Sequence, residues 1–212
     1  KGEFVAIIGA SGSGKSTLVS NLAARNKYSF FMEPVETNPF LEIYYKDPVR
    51  WSYAMQVNLL FERFKQSQEA YLKSLNNETV VMDSSLYSDF AFCLVQKWSH
   101  YFTDAEYHSY LNMHKFMATQ VAYPDMVIWL DLPIDGCIER IKKRSRDCEA
   151  GIPKEYLESL HRAYMQVFDK LKKHTDIISV DASADADSVY NTVNNIINKY
   201  RDDEKHDELK YM

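Results

Sequence analysis

Five short apolar runs recur along the chain, separated by longer segments in which apolar residues return at helical spacing. Strands that are buried on both faces read as continuous apolar runs, whereas an amphipathic helix repeats about every 3.6 residues. Strands that alternate with helices build βαβ units with right-handed crossovers, and therefore a parallel sheet. The pattern predicts an α/β fold with a five-stranded parallel sheet flanked by helices. The predicted strands cover residues 4–8, 28–32, 79–82, 126–130 and 177–180.

The segments between these strands are predicted to be helical, with turn residues and prolines at their ends. Residues 36–47 are predicted to form a turn-rich connection, and the charged segment 201–212 a flexible tail. A chain of 212 residues is most simply one domain, covering 1–212. Beyond a first helix that follows the first strand and its loop, the predicted helices cover 51–75, 86–98, 104–121, 133–144, 154–174 and 189–200.

Composition and charge narrow the class of protein. With 46% hydrophobic and 26% charged residues, the chain is ordinary for a globular protein. Its net charge of −5 argues against a nucleic acid as partner, because that binding needs many cations. Cys93, Cys137 and Cys148 form no C-x-x-C pair, so we expect reduced thiols in an intracellular protein, cytoplasmic rather than mitochondrial. No apolar stretch reaches the roughly 18 residues of a membrane span, so no membrane partner is expected.

A glycine-rich motif follows the first predicted strand and opens the first helix. It fits the pattern G-x-x-x-x-G-K-[ST], a loop whose backbone N–H groups surround phosphate at a helix N-terminus. Lys15 is expected to reach the outer phosphates of ATP, and Ser16 to hold Mg²⁺. The motif residues, predicted to bind ATP, are Gly9, Ala10, Ser11, Gly12, Ser13, Gly14, Lys15, Ser16 and Thr17.

Carboxylates stand at the ends of the later strands. In open α/β sheets, ligands bind beyond the carboxyl ends of the strands, so Glu33 and Asp83 become site candidates. Glu33 could take a proton from a hydroxyl that attacks the γ-phosphorus, or it could be a cap or an ion-pair carboxylate. Asp83 is placed to bind Mg²⁺, directly or through water.

The long predicted helix carries Gln56 and Arg63 seven residues apart, hence on one face. Together they could form paired hydrogen bonds to a flat heteroaromatic edge, and Asp89 in the next helix could point into the same pocket. The alternatives are that the polar residues of the long helix face water and that Asp89 pairs with an arginine without any ligand. The sequence pattern leaves both possibilities open.

A basic run near residue 140 suggests a lid. Arg140 and Arg144 are one helical turn apart, and Arg146 continues into a charged loop at about 144–153. Beside a phosphate-binding loop, such arginines suit closure over the phosphates and stabilisation of charge in the transition state. The alternative is a solvated helix end, where cations are favoured by the helix dipole.

In combination these motifs resemble the deoxyribonucleoside kinases, in the branch that uses deoxyadenosine, deoxyguanosine and deoxycytidine. The resemblance covers about residues 4–183 and implies a three-layer P-loop kinase fold with an arginine-rich lid, acting as a homodimer on a small deoxynucleoside. It implies that Glu33 is the general base on the 5′-hydroxyl, with Arg140, Arg144 and Arg146 as the lid. It implies that Gln56, Arg63 and Asp89 contact the base, and that Tyr45 and Glu149 hold the 3′-hydroxyl of the deoxyribose. Asp181 and Ala182 fall where the family places the loop beside the donor adenine.

One position departs from the family pattern, in which Asp or Glu, Arg and Ser follow one another. Here the residues are Asp83, Ser84 and Ser85, so the usual arginine beside the transferred phosphate is replaced by serine. The predicted function is ATP-dependent phosphorylation of a deoxyribonucleoside at its 5′-hydroxyl, with purines favoured because Arg63 and Asp89 suit a purine edge. The alternatives are a nucleoside monophosphate kinase and a catalytically weakened nucleotide-binding subunit. Residues 55–75 and 86–121 are expected to form the dimer contact.

Overall fold

The computed structural model describes residues 2–33, 38–144 and 151–210, with the backbone alone over 204–210. Within these ranges, the strands form one parallel sheet in the order β2-β3-β1-β4-β5. The predicted strands are therefore confirmed, with ends that differ by at most one residue. The strands are β1 (Phe4–Gly9), β2 (Ser29–Phe31), β3 (Val80–Asp83), β4 (Met126–Asp131) and β5 (Asp176–Asp181).

The predicted helices are confirmed, with ends that differ by up to three residues except at the end of the last helix, which continues past residue 200 through Lys210. The predicted turn-rich connection contains a short helix of six residues. The end of the last helix was missed because its final turns are almost entirely polar and charged, and the short helix because so few residues show no clear period. The helices are α1 (Lys15–Asn26), α2 (Leu41–Lys46), α3 (Pro48–Leu75), α4 (Leu86–Trp98), α5 (Asp104–Ala118), α6 (Ile134–Arg144), α7 (Lys154–Leu171) and α8 (Ala186–Lys210).

Local capping sets the start of the helices that carry the candidate acceptor residues. Asp47 accepts a hydrogen bond from the backbone N–H of Arg50, and Pro48 occupies the first turn of α3, where a missing N–H costs nothing. Ser85 and Ser88 form a reciprocal capping box at the start of α4. This cap fixes the first turn of α4 directly after β3, and so fixes the position of Asp89 on that helix.

Strand β1 lies in the centre of the sheet and divides the core into two layers. Val5 and Ile7 pack with α1 and α8 on one face, whereas Ala6 and Ile8 pack with α4 and α7 on the other. All four side chains are inaccessible to solvent. Alternation of successive side chains across a strand produces this arrangement, and the result is the expected three-layer architecture.

The parallel register brings the chemistry-bearing residues to one edge. Ile7 pairs with Asp83, Gly9 pairs with Leu130, and Asp131 pairs with Asp181. The loops that follow these strands therefore meet at the carboxyl edge of the sheet. Among the described residues, no helix is both long enough and apolar enough to span a membrane.

Candidate active site

The glycine-rich loop wraps the N-terminus of α1 in a conformation that requires glycine. Gly12 and Gly14 have φ angles of 84° and 101°, in the left-handed region that side chains disfavour. A Cβ atom on Gly12 would also lie 2.5 Å from the carbonyl oxygen of Cys137. The Lys15 ammonium donates to the carbonyl oxygens of Gly9 and Ala10, at 3.0 and 3.1 Å. The loop therefore holds its lysine across the start of the helix, where the dipole favours anions.

Two oxygen-bearing side chains meet beside this loop. Ser16 Oγ donates a hydrogen bond of 2.7 Å to Asp83 Oδ2. Burial raises the pKa of Asp83, and the nearby charge of Lys15 opposes that rise. A hydroxyl and a carboxylate are hard oxygen ligands of the kind that Mg²⁺ prefers, usually together with substrate phosphates and water. The pair could therefore hold a magnesium ion.

Arg140 joins two loops at the carboxyl edge. Its guanidinium donates to the carbonyl oxygen of Ala182 at 2.8 Å and to that of Ser13 at 3.4 Å. The arginine thus ties the phosphate loop to the segment after β5. Asp181 is exposed and accepts from the backbone N–H of Ser183 at 2.8 Å, which lowers the pKa of Asp181.

A cavity of about 900 Å³ lies over the phosphate loop. Glu33 and Asp83 line it from the strand ends, and Arg140 and Arg144 line it from α6. Ala182 also lines it, whereas Asp181 is absent from the described lining. Two further predicted residues, Arg146 of the lid and Glu149, lie outside the described residues. Two cations of the predicted lid, Arg140 and Arg144, therefore border the cavity.

Behind Glu33 lies a buried charge cluster. Arg63 is only 1% exposed, and its guanidinium forms ion pairs with both Glu33 and Asp89. Gln56 Nε2 donates to Asp89 Oδ2 at 2.8 Å and to the backbone oxygen of Asp89 at 3.3 Å. The structure therefore brings together Glu33, Gln56, Arg63 and Asp89, which lie far apart in sequence.

The electrostatics of the cluster keep Arg63 charged. Burial alone would lower the pKa of Arg63, but the adjacent charges of Glu33 and Asp89 raise it above its ordinary value. The guanidinium also lies 4.9 Å from the ring centroid of Phe92, a cation–π distance. Two carboxylates around one guanidinium make a buried group with a formal excess of one negative charge.

Tyr45, predicted to contact the sugar, lies on α2. It is 37% exposed, and its ring stands edge-on to that of Tyr44 at a centroid distance of 5.3 Å. Burial raises the pKa of Tyr156 on α7, and the groups that raise it further include Tyr44, Tyr45 and Glu33. The predicted sugar-contacting tyrosine and the predicted base thus both act on the titration of Tyr156.

Two tyrosines of the cluster escaped the sequence analysis. Tyr110 on α5 is inaccessible to solvent and donates a hydrogen bond of 2.5 Å to Asp89 Oδ2. Tyr164 on α7 is also inaccessible, and its hydroxyl has no partner among the described residues. Neither residue stands in a motif, and aromatic residues at helical spacing usually indicate core packing. A buried hydroxyl is revealed only when the helices are assembled.

Ser84, the departure from the family pattern, directly follows β3. It has a φ angle of 69°, is 1% exposed, and donates its backbone N–H to the carbonyl oxygen of Ile7 at 3.0 Å. Its hydroxyl lies 3.5 Å from Asp83 Oδ1 and supplies no charge. Among the described residues, the guanidinium that contacts Glu33 comes from Arg63 instead.

The fold and the phosphate loop together define a P-loop kinase architecture. Residues 5–203 match the family described as deoxynucleoside kinase. Curated relatives include a deoxyadenosine kinase from Dictyostelium discoideum, 31% identical over 86% of this chain and 74% of its own length. A deoxyguanosine kinase from the same organism is also 31% identical, over 91% of this chain and 69% of its own.

Solved structures give the same result. The deoxyadenosine kinase from M. mycoides with bound dCTP superimposes with a TM-score of 0.80 and 31% identity, covering 92% of this chain and 98% of that one. The chain therefore belongs to the deoxynucleoside kinase family. The resemblance seen in the motifs is confirmed, as is the expectation of a phosphotransferase that uses ATP as its phosphate donor.

Proposed function

We propose that this protein transfers the γ-phosphoryl group of ATP to the 5′-hydroxyl of a deoxyribonucleoside, with purines preferred. The observation that carries the proposal is the buried link from Glu33, at the wall of the phosphate cavity, through Arg63 to Asp89. This link joins a carboxylate that can accept a proton to a charged pair that can recognise a base. The names of the relatives, which include deoxyadenosine and deoxyguanosine kinases, support the same activity.

On the phosphate side, the loop residues 9–17 bind the triphosphate, and Ala182 with Asp181 borders the donor adenine. Ser16 and Asp83 would hold Mg²⁺, which would neutralise phosphate charge when it is bound. Lys15, Arg140 and Arg144, with Arg146, stabilise the charge that develops on the transferred group. Phosphoryl transfer of this kind depends on positioning and electrostatics more than on covalent chemistry.

On the acceptor side, Glu33 takes the proton of the 5′-hydroxyl as that oxygen attacks phosphorus. Gln56, Arg63 and Asp89 contact the base, and Tyr45 with Glu149 contacts the 3′-hydroxyl. Arg63 also supplies a guanidinium to Glu33, whereas Ser84 carries no charge. We infer that Arg63 offsets part of the charge lost at that position.

The two alternatives are not favoured. A nucleoside monophosphate kinase needs cations on the acceptor side to hold the substrate phosphate, whereas Glu33 and Asp83 are both acidic. The alternative of a catalytically weakened subunit is supported by Ser84 alone, whereas Lys15, Glu33 and Arg140 all line the cavity. A homodimer formed through α3, α4 and α5 and a cytoplasmic location remain parts of the proposal. The described cysteines, Cys93 and Cys137, are free thiols, in keeping with a reducing compartment.

Transfer of radiolabel from γ-labelled ATP to the four deoxynucleosides tests this proposal. We expect labelled monophosphate, with the highest kcat/KM for a purine, and no label on 2′,5′-dideoxyadenosine, which lacks the attacking oxygen. Lys15→Ala serves as the inactive control for contaminating kinases. Label on the 5′-deoxy analogue, or on none of the four deoxynucleosides, would overturn the proposal.

A further inference from the structure

Tyr110 connects a helix outside the proposed site to the centre of the base-recognition cluster. It projects from α5, is inaccessible to solvent, and donates to Asp89 Oδ2 at 2.5 Å. We propose that Tyr110 is a positioning residue that fixes Asp89 and, through it, the amide orientation of Gln56, so that the site recognises an exocyclic amino group on the base. This inference rests on the proposed function and assigns a role to a residue that contacts no phosphate-binding group.

The oxygen atoms of Asp89 have a limited capacity for hydrogen bonds. Each carboxylate oxygen offers about two lone-pair positions. Oδ2 accepts from the Tyr110 hydroxyl at 2.5 Å and from Gln56 Nε2 at 2.8 Å, and Oδ1 pairs with Arg63. Oδ2 is therefore filled by protein donors from two helices, and only Oδ1 keeps acceptor capacity.

This arrangement fixes the orientation of the Gln56 amide. Nε2 faces two acceptors of Asp89, the carboxylate at 2.8 Å and the backbone oxygen at 3.3 Å. A flipped amide would place Oε1 against both of these oxygens, so the hydrogen-bond network selects one orientation. Oε1 is then the atom of Gln56 left to meet a ligand, and it accepts only.

A base that fits this arrangement offers an amino donor to Gln56 Oε1 and an acceptor to the guanidinium of Arg63. Adenine offers such a pair, since its amino group lies beside a ring nitrogen. Without the 6-amino group, a purine leaves Oε1 unpaired, which costs binding free energy in a buried site. The network therefore predicts discrimination against a purine that lacks this amino group.

The surroundings of Tyr110 keep its hydroxyl a donor. Burial raises the pKa of Tyr110 well above its ordinary value, and the charge of Asp89 adds to that rise. The ring stacks on His114 and Phe90 at centroid distances of 5.8 and 6.5 Å. His114 is itself bound to the carbonyl oxygen of Leu86 at 3.1 Å. These ring contacts remain in a Tyr110→Phe variant, which removes the hydroxyl alone.

Tyr53→Phe is the matched control for this substitution. The Tyr53 hydroxyl donates to Ser109 Oγ at 2.9 Å, so it links α3 to α5, but it does not touch Asp89. Each variant loses one tyrosine hydroxyl that joins α5 to a neighbouring helix, α4 for Tyr110 and α3 for Tyr53. Only Tyr110→Phe releases Asp89 Oδ2 and allows the Gln56 amide to rotate.

Steady-state kinetics with deoxyadenosine and 2′-deoxynebularine, which lacks the 6-amino group, tests the inference. For Tyr110→Phe we expect the KM of deoxyadenosine to rise about tenfold, the size expected for one hydrogen bond to a charged group. The preference for deoxyadenosine over deoxynebularine should shrink, while the KM of ATP stays unchanged. Tyr53→Phe should match the wild type in all three quantities.

The possible outcomes separate this inference from the proposed function. If the wild type phosphorylates no deoxynucleoside, the proposed function fails and this inference fails with it. If the wild type is active but Tyr110→Phe keeps the wild-type preference for the amino group, only the role of Tyr110 is overturned. If Tyr110→Phe weakens the use of both nucleosides and of ATP equally, or loses the circular dichroism spectrum of the folded protein, Tyr110 is a purely structural residue. Either result would also overturn the inference.

Discussion

The two sides of the cavity are built in different ways. The proposed phosphate side consists mainly of one continuous segment, residues 9–17, in which two glycines have left-handed φ angles and residues 11–17 line the cavity. The acceptor side consists of single side chains from β2, α3, α4 and α5, held by buried charges and hydrogen bonds. The first depends on local conformation, whereas the second depends on how distant helices pack.

This difference determines how each side responds to substitution. A backbone site tolerates changes of side chain except where a Cβ atom would clash or a left-handed φ angle is required. A buried charge cluster tolerates little, because removal of one partner leaves the other charge desolvated and unpaired. The acceptor side should therefore lose both activity and stability on mutation, and the phosphate side chiefly nucleotide affinity.

The largest expected effect is on the acceptor side, at the proposed general base. Glu33→Gln removes the proton acceptor and should lower kcat by about 10²–10⁴-fold. Turnover of deoxyadenosine at saturating ATP measures this loss. Glu62→Gln, which removes the partly exposed partner of Lys65 on α3, should leave kcat unchanged. A Glu33→Gln enzyme within a few fold of the wild type would contradict the role of Glu33.

The next largest effect concerns the stability of the buried cluster. Arg63→Met leaves Asp89 without its cation and should lower the free energy of unfolding by about 3–5 kcal/mol. Urea denaturation measures the change. Arg25→Met breaks an exposed ion pair with Asp187 and should cost under about 1 kcal/mol. Equal costs for the two arginine variants would mean that burial does not distinguish the two pairs.

A smaller effect is expected for the backbone of the phosphate side. Gly12→Ala forces alanine into a φ angle of 84° with a Cβ atom 2.5 Å from a carbonyl oxygen. The cost of about 1–3 kcal/mol should appear as a higher KM for ATP. Asn77→Ala is the control, because it also places alanine at a left-handed φ angle, 64°, but lies after α3, outside the phosphate loop. If the two variants bind ATP equally well, the loop geometry is not what holds the nucleotide.

The smallest effect is a dependence of magnesium use on pH. Because burial raises the pKa of Asp83, this carboxyl takes up a proton at a higher pH than an ordinary aspartate. Mg²⁺ needs the carboxylate, so the apparent affinity for Mg²⁺ should fall as the pH is lowered from about 8 towards the ordinary aspartate range near about 4. Magnesium titrations of the turnover rate across this range measure the shift.

Asp104→Asn is the control for that titration, since Asp104 is exposed and pairs with Lys97. It should show the same pH dependence as the wild type. Asp83→Asn should bind Mg²⁺ weakly at every pH. A wild-type affinity that does not change with pH would remove Asp83 from the metal site.

Much of the fold could be predicted because its sequence signals are local. The buried strands around β1 read as apolar runs, and the phosphate loop is a continuous motif between a strand and a helix. The short helix α2 could not be predicted, because its six residues are too few for a helical period to stand out from the turn residues around it. Tyr110 could not be assigned either, because its function depends on contact with Asp89, twenty-one residues away.

The central claim is that the site formed around the buried Glu33–Arg63–Asp89 link binds a neutral nucleoside, not a nucleotide, as the phosphate acceptor. The ratio of kcat/KM for deoxyadenosine to that for its 5′-monophosphate, at saturating ATP and Mg²⁺, tests it most directly. We expect phosphorylation of the nucleoside and a rate with the monophosphate that does not exceed the Lys15→Ala background. Efficient phosphorylation of the monophosphate, with little or none of the nucleoside, would contradict the account.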